Sequence, residues 1–196
     1  SFVHSLRTRD IRDCLLKALK QNPYCLLSNA EEVKHATKFG TNQKVPLLPI
    51  ARHFFEEVVL EGNYNHFYQA ITVSLVDNFA EETLRAALQQ LAKHHDTFSI
   101  RYQQDSENEW NAYLAHESAM SAFSFSAIER DDYSENADDI ISSTVATAVD
   151  SLDIANGPIG AWVLITSPSG QVFTLIGVLH HLFVDGLSWL ILLHDL

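Results

Sequence analysis

The sequence predicts an α+β fold in which a mixed β-sheet is covered by helices. Residues 161–166 and 171–179 form two apolar runs on either side of a Pro-Ser-Gly turn at 168–170. Both runs are apolar on both faces, which is typical of neighbouring central strands in a sheet that is covered on each side. A leucine stripe at helical spacing between residues 81 and 95 predicts one of the covering helices.

Composition places the chain among globular proteins and excludes several functions. The formal charge of −12 argues against nucleic acid or an anionic membrane as the main partner. Cys14 and Cys25 are the only cysteines, and their spacing fits neither a disulfide framework nor a metal site. No apolar run approaches transmembrane length and no signal segment opens the sequence, so we expect a cytoplasmic protein.

Residues 1–44 differ from the rest and are predicted to form a helical extension or a linker. Apolar residues at helical spacing predict an amphipathic helix over residues 10–21, and a second helical pattern covers residues 30–37. This segment fits two interpretations, the remnant of an upstream module or an extension packed on the domain. Residues 45–196 are expected to form the main folded part of the chain, a compact lobe.

Within that lobe the patterns predict the remaining elements in order. A helix begins near Pro49, where proline is tolerated in the first turn. The alternating apolar residues Ile71, Val73 and Leu75 predict a strand with one buried face. Further on, the patterns predict a strand over residues 109–114 and a helix from a Ser134 cap to about Val149.

The most informative stretch runs from His180 to Gly186, immediately after the second apolar strand. Successive side chains of a strand point to opposite faces, so adjacent His180 and His181 are badly placed to chelate one metal ion. One of the two imidazoles is expected to face a cavity and the other to lie in the body of the fold. An imidazole titrates near neutral pH and can both take and return a proton, which makes His181 a candidate acid-base residue. Asp185 is expected on a turn, where Gly186 would allow unusual torsions or close approach.

This stretch resembles the His-His-x-x-x-Asp-Gly signature of condensation and epimerization domains of nonribosomal peptide synthetases. The continuation Leu187-Ser188-Trp189 and the segment 65–69, Asn-His-Phe-Tyr-Gln, are similar to the epimerization subtype. Residues 94–102 resemble another motif of the family, in which an arginine is thought to pair with the signature aspartate. Ser99 stands at that arginine position, so Arg101, two residues further along the same strand face, is the candidate partner of Asp185.

The resemblance implies a chloramphenicol-acetyltransferase-like, two-layer lobe, the N-terminal one of two. It implies that His181 is catalytic and that His180, Asp185 and Gly186 shape the loop. The implied reaction is proton transfer at the α-carbon of an aminoacyl or peptidyl thioester, converting L to D. The substrate would be presented on the phosphopantetheine arm of a carrier domain, with no cofactor or metal bound directly.

Two other functions remain open at this stage. The lobe could belong to an amide-forming condensation domain, since the signature is shared, or it could be a non-catalytic remnant that docks carrier domains. The implied partners are a carrier (thiolation) domain and the second lobe, with no nucleic acid and no membrane. We expect the isolated lobe to be inactive, because the resemblance covers one lobe only.

Overall fold

A computed structural model of the chain describes residues 3–6, 43–58, 63–75, 80–114, 122–170 and 172–196. Within these ranges the chain forms eight β-strands and four α-helices. The strands are β1 (Val3–Leu6), β2 (Gln43–Val45), β3 (Tyr68–Ser74), β4 (Ile100–Gln104), β5 (Trp110–Leu114), β6 (Phe123–Glu129), β7 (Gly160–Thr166) and β8 (Val172–His180). The helices are α1 (Pro49–His53), α2 (Glu81–His94), α3 (Tyr133–Asp150) and α4 (Gly186–Asp195).

The described strands form two sheets, and the larger one is mixed. Its order is β1-β3-β8-β7-β6, with β1 parallel to β3, β6 parallel to β7, and the central pairs antiparallel. The smaller sheet has the order β2-β5-β4 and is antiparallel. The predicted α+β class and the predicted central hairpin, which is β7 and β8, are therefore confirmed.

Strand β8 divides the core into two layers. Leu175 and Leu179 belong to a cluster that also contains the buried leucines of α2 and residues of α4. Ile176 and Val178 point the other way, into a cluster that contains the buried face of α3. Because side chains alternate along the strand, helices cover both faces of the large sheet, and both faces of β8 carry buried apolar residues.

A small residue in β8 makes room for a large one in β7. Gly177 lies opposite Trp162 in the antiparallel register. A Cβ atom at Gly177 would lie 2.6 Å from Cζ3 of Trp162, so the glycine is required by the indole ring that covers it. Trp162 thus packs directly on the backbone of β8, the strand that ends at His180.

Several expectations need correction. Helix α3 begins at Tyr133 with Asp132 at its N-cap position and no side-chain cap, so the predicted Ser134 cap is wrong. The helix predicted to begin near Pro49 is confirmed as α1, which is short and passes directly into a π-helical turn at Phe54–Val58. Strand β1 lies in the segment 1–44, for which the sequence predicts only helix or linker. The helices predicted over residues 10–21 and 30–37 lie outside the described residues.

None of the helices in the described ranges combines the length and the apolar character needed to cross a membrane.

Candidate functional site

The two histidines of the signature lie where the end of β8 meets the start of β3. His180 is the last residue of β8 and lies opposite Tyr68 in the register with β3. The chain then turns, and the backbone N–H of His181 donates to the carbonyl of Phe67 over 2.7 Å. The segment just before β3 therefore holds the backbone of His181, whereas the backbone N–H of His180 donates to the carbonyl of Ile159 over 2.9 Å.

His180 is wholly buried and fully hydrogen-bonded. Its Nε2 atom lies 2.6 Å from the carbonyl oxygen of Tyr64, and the N–H of Leu182 donates to its Nδ1 over 3.2 Å. A carbonyl oxygen only accepts, so the ring proton of His180 is on Nε2. Burial lowers the pKa of His180 to about 4; the bond to Tyr64 opposes this shift and the charge of His181 adds to it. His180 is consequently a neutral residue of the core.

Aromatic rings surround His180. Its ring centroid lies 5.8 Å from Phe54, 6.1 Å from Phe67 and 6.0 Å from Phe183, each time in an edge-on arrangement. Such a cage excludes water and adds to the cost of charging the imidazole. The structure therefore gives this histidine the place in the body of the fold that the strand pattern predicts for one of the pair.

His181 is half-buried and makes a different set of bonds. Its Nδ1 atom lies 2.7 Å from the carbonyl oxygen of Val184, and its Nε2 atom lies 3.0 Å from Nε2 of Gln69. The ring of Phe67 stacks on the imidazole with 4.8 Å between centroids and 18° between planes. The imidazole is thus fixed in plane by two polar contacts and held on one face by an aromatic ring.

Gln69 connects His181 to helix α4. The indole Nε1–H of Trp189 donates to Oε1 of Gln69 over 3.0 Å, while the amide nitrogen of Gln69 faces His181. Trp189 is buried, and Gln69 lies on β3, two residues after the stacking ring of Phe67. Sequence reasoning did not single out Gln69, whose only signal was its place in the segment 65–69.

His66, in the same segment, points away from the pair. Its Nε2 atom lies 3.3 Å from a carboxylate oxygen of Asp150, and both side chains are exposed. The neighbouring Asn65 accepts the backbone N–H of Ile154 through Oδ1 over 3.1 Å. These two residues anchor the segment, while Phe67 and Gln69 contact His181.

Asp185 is the N-cap of α4. Its Oδ1 atom accepts the backbone N–H of Ser188 over 2.8 Å and the hydroxyl of Ser188 over 2.7 Å. The backbone hydrogen bond from Ser188 is the main cause that lowers the pKa of Asp185. The carboxylate thereby holds the start of the helix that carries Trp189.

Gly186 does not need glycine's conformational freedom in this structure. A Cβ atom built on it meets nothing within 4 Å, and it is not among the described glycines with positive φ, which are Gly157 and Gly170. Of the two alternatives for this position, unusual torsions are therefore wrong, and close approach of another group stays a prediction. The open space above Gly186 lies at the first turn of α4.

The expected pair between Arg101 and Asp185 is absent from the ion pairs of the described ranges. The buried guanidinium of Arg101 instead donates through one nitrogen to the carbonyls of Phe98 and Ile100, over 2.9 Å and 2.7 Å. Burial lowers the pKa of Arg101, and the charge of Asp153 raises it in part. The physical reason for the difference is that Asp185 turns outward to cap its own helix.

One group of side chains in the described part of the chain has the composition of a metal site. Ligand atoms of His94, His95 and Asp195 lie within 4.8 Å of one another. His95 Nε2 already lies 3.0 Å from Oδ2 of Asp195, which connects the end of α2 to the end of α4. Asp195 is the last residue of α4, at the end of the helix opposite the signature turn, so the group is best described as a contact between helices.

The family of the chain follows from comparison with known proteins. Residues 41–196 match the profile of the condensation domain, and the chain belongs to that family. Among solved structures it is similar to the epimerization domain from the third module of tyrocidine synthetase B, with a TM-score of 0.66 and 26% identity over 81% of this chain. The starter condensation domain of rhizomide synthetase RzmA shares the fold, with a TM-score of 0.61 at 12% identity over 79% of this chain. The predicted chloramphenicol-acetyltransferase-like fold is the fold of these neighbours.

The curated relatives are peptide synthetases. Nonribosomal peptide synthetase 5 of Gibberella zeae is 32% identical over 76% of this chain, and nonribosomal peptide synthetase ungA' of Aspergillus campestris is 30% identical over 85%. The chain spans 1% and 2% of the length of these two proteins and 35% of the tyrocidine epimerization domain structure. It therefore corresponds to a small part of each of these synthetases.

Proposed function

We propose that the chain is the N-terminal lobe of an epimerization domain and that His181 moves the α-proton of a carrier-bound aminoacyl or peptidyl thioester. Residues 45–196 form this lobe, and residues 1–44 precede it as an extension. The reaction takes place in the cytoplasm, between this lobe and a second lobe of the same domain. The substrate arrives on the phosphopantetheine arm of a carrier domain, and no cofactor is bound by the lobe itself.

One observation carries the proposal. Gln69 and Trp189 belong to the two segments whose sequence is similar to epimerization domains, and they are the residues whose side chains connect to His181. Phe67, from the first of these segments, stacks on the same imidazole. The residues that favour the epimerization subtype thus lie around the proposed acid-base group, where they can influence its proton transfer.

The chemistry requires only proton transfers. Nε2 of His181 accepts the proton as the Cα–H bond breaks, and the electron pair moves into the thioester carbonyl to form an enolate. The imidazolium keeps its Nδ1–H bond to the carbonyl of Val184, which stabilises the new positive charge. A proton delivered to the opposite face of Cα then gives the D-configured thioester; we propose that an acidic side chain of the second lobe delivers it.

The surface of α4 supports the presence of a second lobe. Leu187 is 72% exposed and Ile191 is 54% exposed, and residues four apart lie on the same face of a helix. Exposed apolar side chains next to each other are typical of a surface that another part of a protein covers. A lobe that packs here would close the site on the side of the signature turn.

A second candidate function is amide formation by a condensation domain. The matching profile is that of the condensation domain, and the His-His-x-x-x-Asp-Gly signature is common to both reactions. A third, docking of carrier domains without catalysis, is favoured by Ser99 at the family's arginine position.

An exchange experiment separates the three. The chain is joined to the second lobe, supplied with an L-aminoacyl thioester on a carrier domain in heavy water, and examined for α-deuterium and product chirality. Deuterium uptake with D-product supports epimerization. No uptake, but amide formation when a second aminoacyl carrier is added, would move the chain to the condensation class. Carrier binding without either reaction would leave docking as its function.

A further inference from the structure

We infer that Trp189 and Gln69 form a relay that holds His181 as the tautomer with its proton on Nδ1, so that Nε2 is left as the basic nitrogen. This inference rests on the proposed role of His181 but is a statement about the resting imidazole, and it can fail or hold independently of the reaction. In it, Gln69 and Trp189 are positioning residues that act through the histidine.

The indole of Trp189 determines which atom donates and which accepts in each hydrogen bond of the relay. The indole nitrogen of Trp189 can only donate, so the Gln69 atom 3.0 Å away from it is the amide oxygen. The amide nitrogen of Gln69 must then face His181, and it can only donate. Nε2 of His181, 3.0 Å from that nitrogen, is therefore the acceptor and carries no proton in the neutral ring.

The opposite side of the ring leads to the same tautomer. The carbonyl oxygen of Val184 can only accept, and it lies 2.7 Å from Nδ1 of His181. Nδ1 must therefore carry the proton. Two independent constraints, one from the indole through the amide and one from the backbone, give one consistent assignment. The opposite tautomer would place two donors face to face at Nε2 and two acceptors face to face at Nδ1.

The relay also limits how Nε2 is used. Nε2 has one in-plane lone pair. The amide hydrogen of Gln69 points at it and therefore occupies the position that a substrate proton must take. Because the amide oxygen stays bonded to Trp189, the amide nitrogen can move aside without the side chain leaving the site. Trp189 lies on α4, whose first turn is held by Asp185, so the signature aspartate positions the far end of the relay.

The test is the protonation pattern of the His181 ring in the chain labelled with [15N]histidine. Nitrogen NMR distinguishes protonated from unprotonated ring nitrogens, and the His181 signals are identified by their loss in His181→Ala. We expect the wild-type ring to have a protonated Nδ1 and an unprotonated Nε2. In Gln69→Glu, a nearly isosteric change, a carboxylate oxygen faces Nε2, and we expect both ring nitrogens to be protonated at neutral pH.

A second variant tests the far end of the relay. In Trp189→Phe the amide of Gln69 is no longer oriented, and its oxygen can turn toward Nε2 and accept a hydrogen bond there. We therefore expect partial protonation of Nε2, while Nδ1 stays protonated against the carbonyl of Val184. Trp162→Phe is the matched control, because the Trp162 indole packs 6.1 Å from that of Trp189 but makes no hydrogen bond to any described residue. Gln89→Leu on the exposed face of α2 is the control for the glutamine. Both controls should keep the wild-type pattern.

Three results would overturn the inference: a wild-type ring protonated on Nε2 and not on Nδ1, a Gln69→Glu ring with the wild-type pattern, or a Trp189→Phe ring with the wild-type pattern. The activity of the two-lobe protein separates this inference from the proposed function. If both hold, Gln69→Glu lowers kcat for α-proton exchange by about a hundredfold or more and leaves KM nearly unchanged, since a protonated Nε2 cannot accept. A changed ring pattern with unchanged exchange would leave the relay intact and contradict the role of His181.

Discussion

His180 and His181 are adjacent in the chain but carry their protons on opposite ring nitrogens. Nε2 of His180 donates to the carbonyl of Tyr64, whereas Nδ1 of His181 donates to the carbonyl of Val184. The remaining nitrogen of His180 accepts a backbone N–H, and that of His181 faces a side-chain amide. Both ring nitrogens of His180 are thereby bonded to backbone groups of the core. His181 instead has one nitrogen, Nε2, whose partner is a side chain that can move away.

The first prediction concerns the pH dependence of stability. The pKa of folded His180, about 4, lies below the ordinary value of 6.5, so between these values the unfolded chain binds a proton that the folded chain does not. Stability is therefore fully present above pH 6.5 and falls as the pH decreases toward 4. The whole effect is about 3 kcal/mol, because each pKa unit between 6.5 and 4 corresponds to about 1.4 kcal/mol. Urea unfolding across this range measures it.

His180→Asn is the control for this dependence. Asparagine does not titrate, so we expect the variant to be less stable at pH 7 but to lose less stability between pH 6.5 and pH 4. An equally steep loss in the variant would show that other groups cause the acid sensitivity. His180→Ala leaves the N–H of Leu182 without its acceptor and creates a cavity at a fully buried position, so we expect a loss of about 3–5 kcal/mol.

The second prediction concerns Asp185 as a helix cap. Asp185→Ala removes both bonds to Ser188 and should destabilise the lobe by about 1 kcal/mol. Asp185→Asn should be nearly as stable as the wild type, because asparagine is an equally good N-cap. Thermal unfolding of the two variants compares them. If asparagine cost as much as alanine, the charge would matter more than the cap, and the pair with Arg101 would have to be reconsidered.

The third prediction contrasts two glycines. Gly177→Ala places a methyl group against Trp162 and should destabilise the lobe by about 1–3 kcal/mol. Gly186→Ala meets open space in the first turn of α4 and should leave stability unchanged or raise it by up to about 1 kcal/mol. Chemical unfolding of both variants is the measurement.

Gly186 also has an expected role in the assembled domain. Nothing in the described part of the lobe requires a glycine at position 186. We therefore expect the glycine to make room for substrate or for the second lobe. Gly186→Ala in the two-lobe protein should then lower turnover, on the order of 10- to 100-fold. Wild-type turnover in a stable Gly186→Ala variant would show that the open space is not used.

The sequence was sufficient for those parts of the fold that depend on periodicity. The apolar runs of β7 and β8 and the leucine stripe of α2 were predicted because burial on a strand or a helix leaves a regular pattern. Strand β1 and the start of α3 at Tyr133 were missed. A four-residue edge strand has no distinctive pattern, and the N-cap position of α3, Asp132, makes no side-chain cap bond.

The site was predictable in its histidines and not in their partners. The signature identified His180 and His181, but which of them is buried depends on Tyr64 and on the rings of Phe54 and Phe67, which are distant in sequence. Gln69 reaches His181 across 112 positions, and no local pattern encodes such a contact. Arg101 was placed on the correct strand, yet its partner could not be chosen from strand geometry, because burial and the outward turn of Asp185 decide it.

The most direct test of the account is the rate of α-deuterium incorporation by His181→Ala in the two-lobe protein, with Gln89→Leu as the control. Removing the nitrogen that accepts the α-proton should reduce the rate by about a hundredfold or more and leave the product in the L-configuration. The Gln89→Leu protein should exchange at the wild-type rate. Incorporation by His181→Ala within a few-fold of the wild type would contradict the assignment of proton transfer to His181.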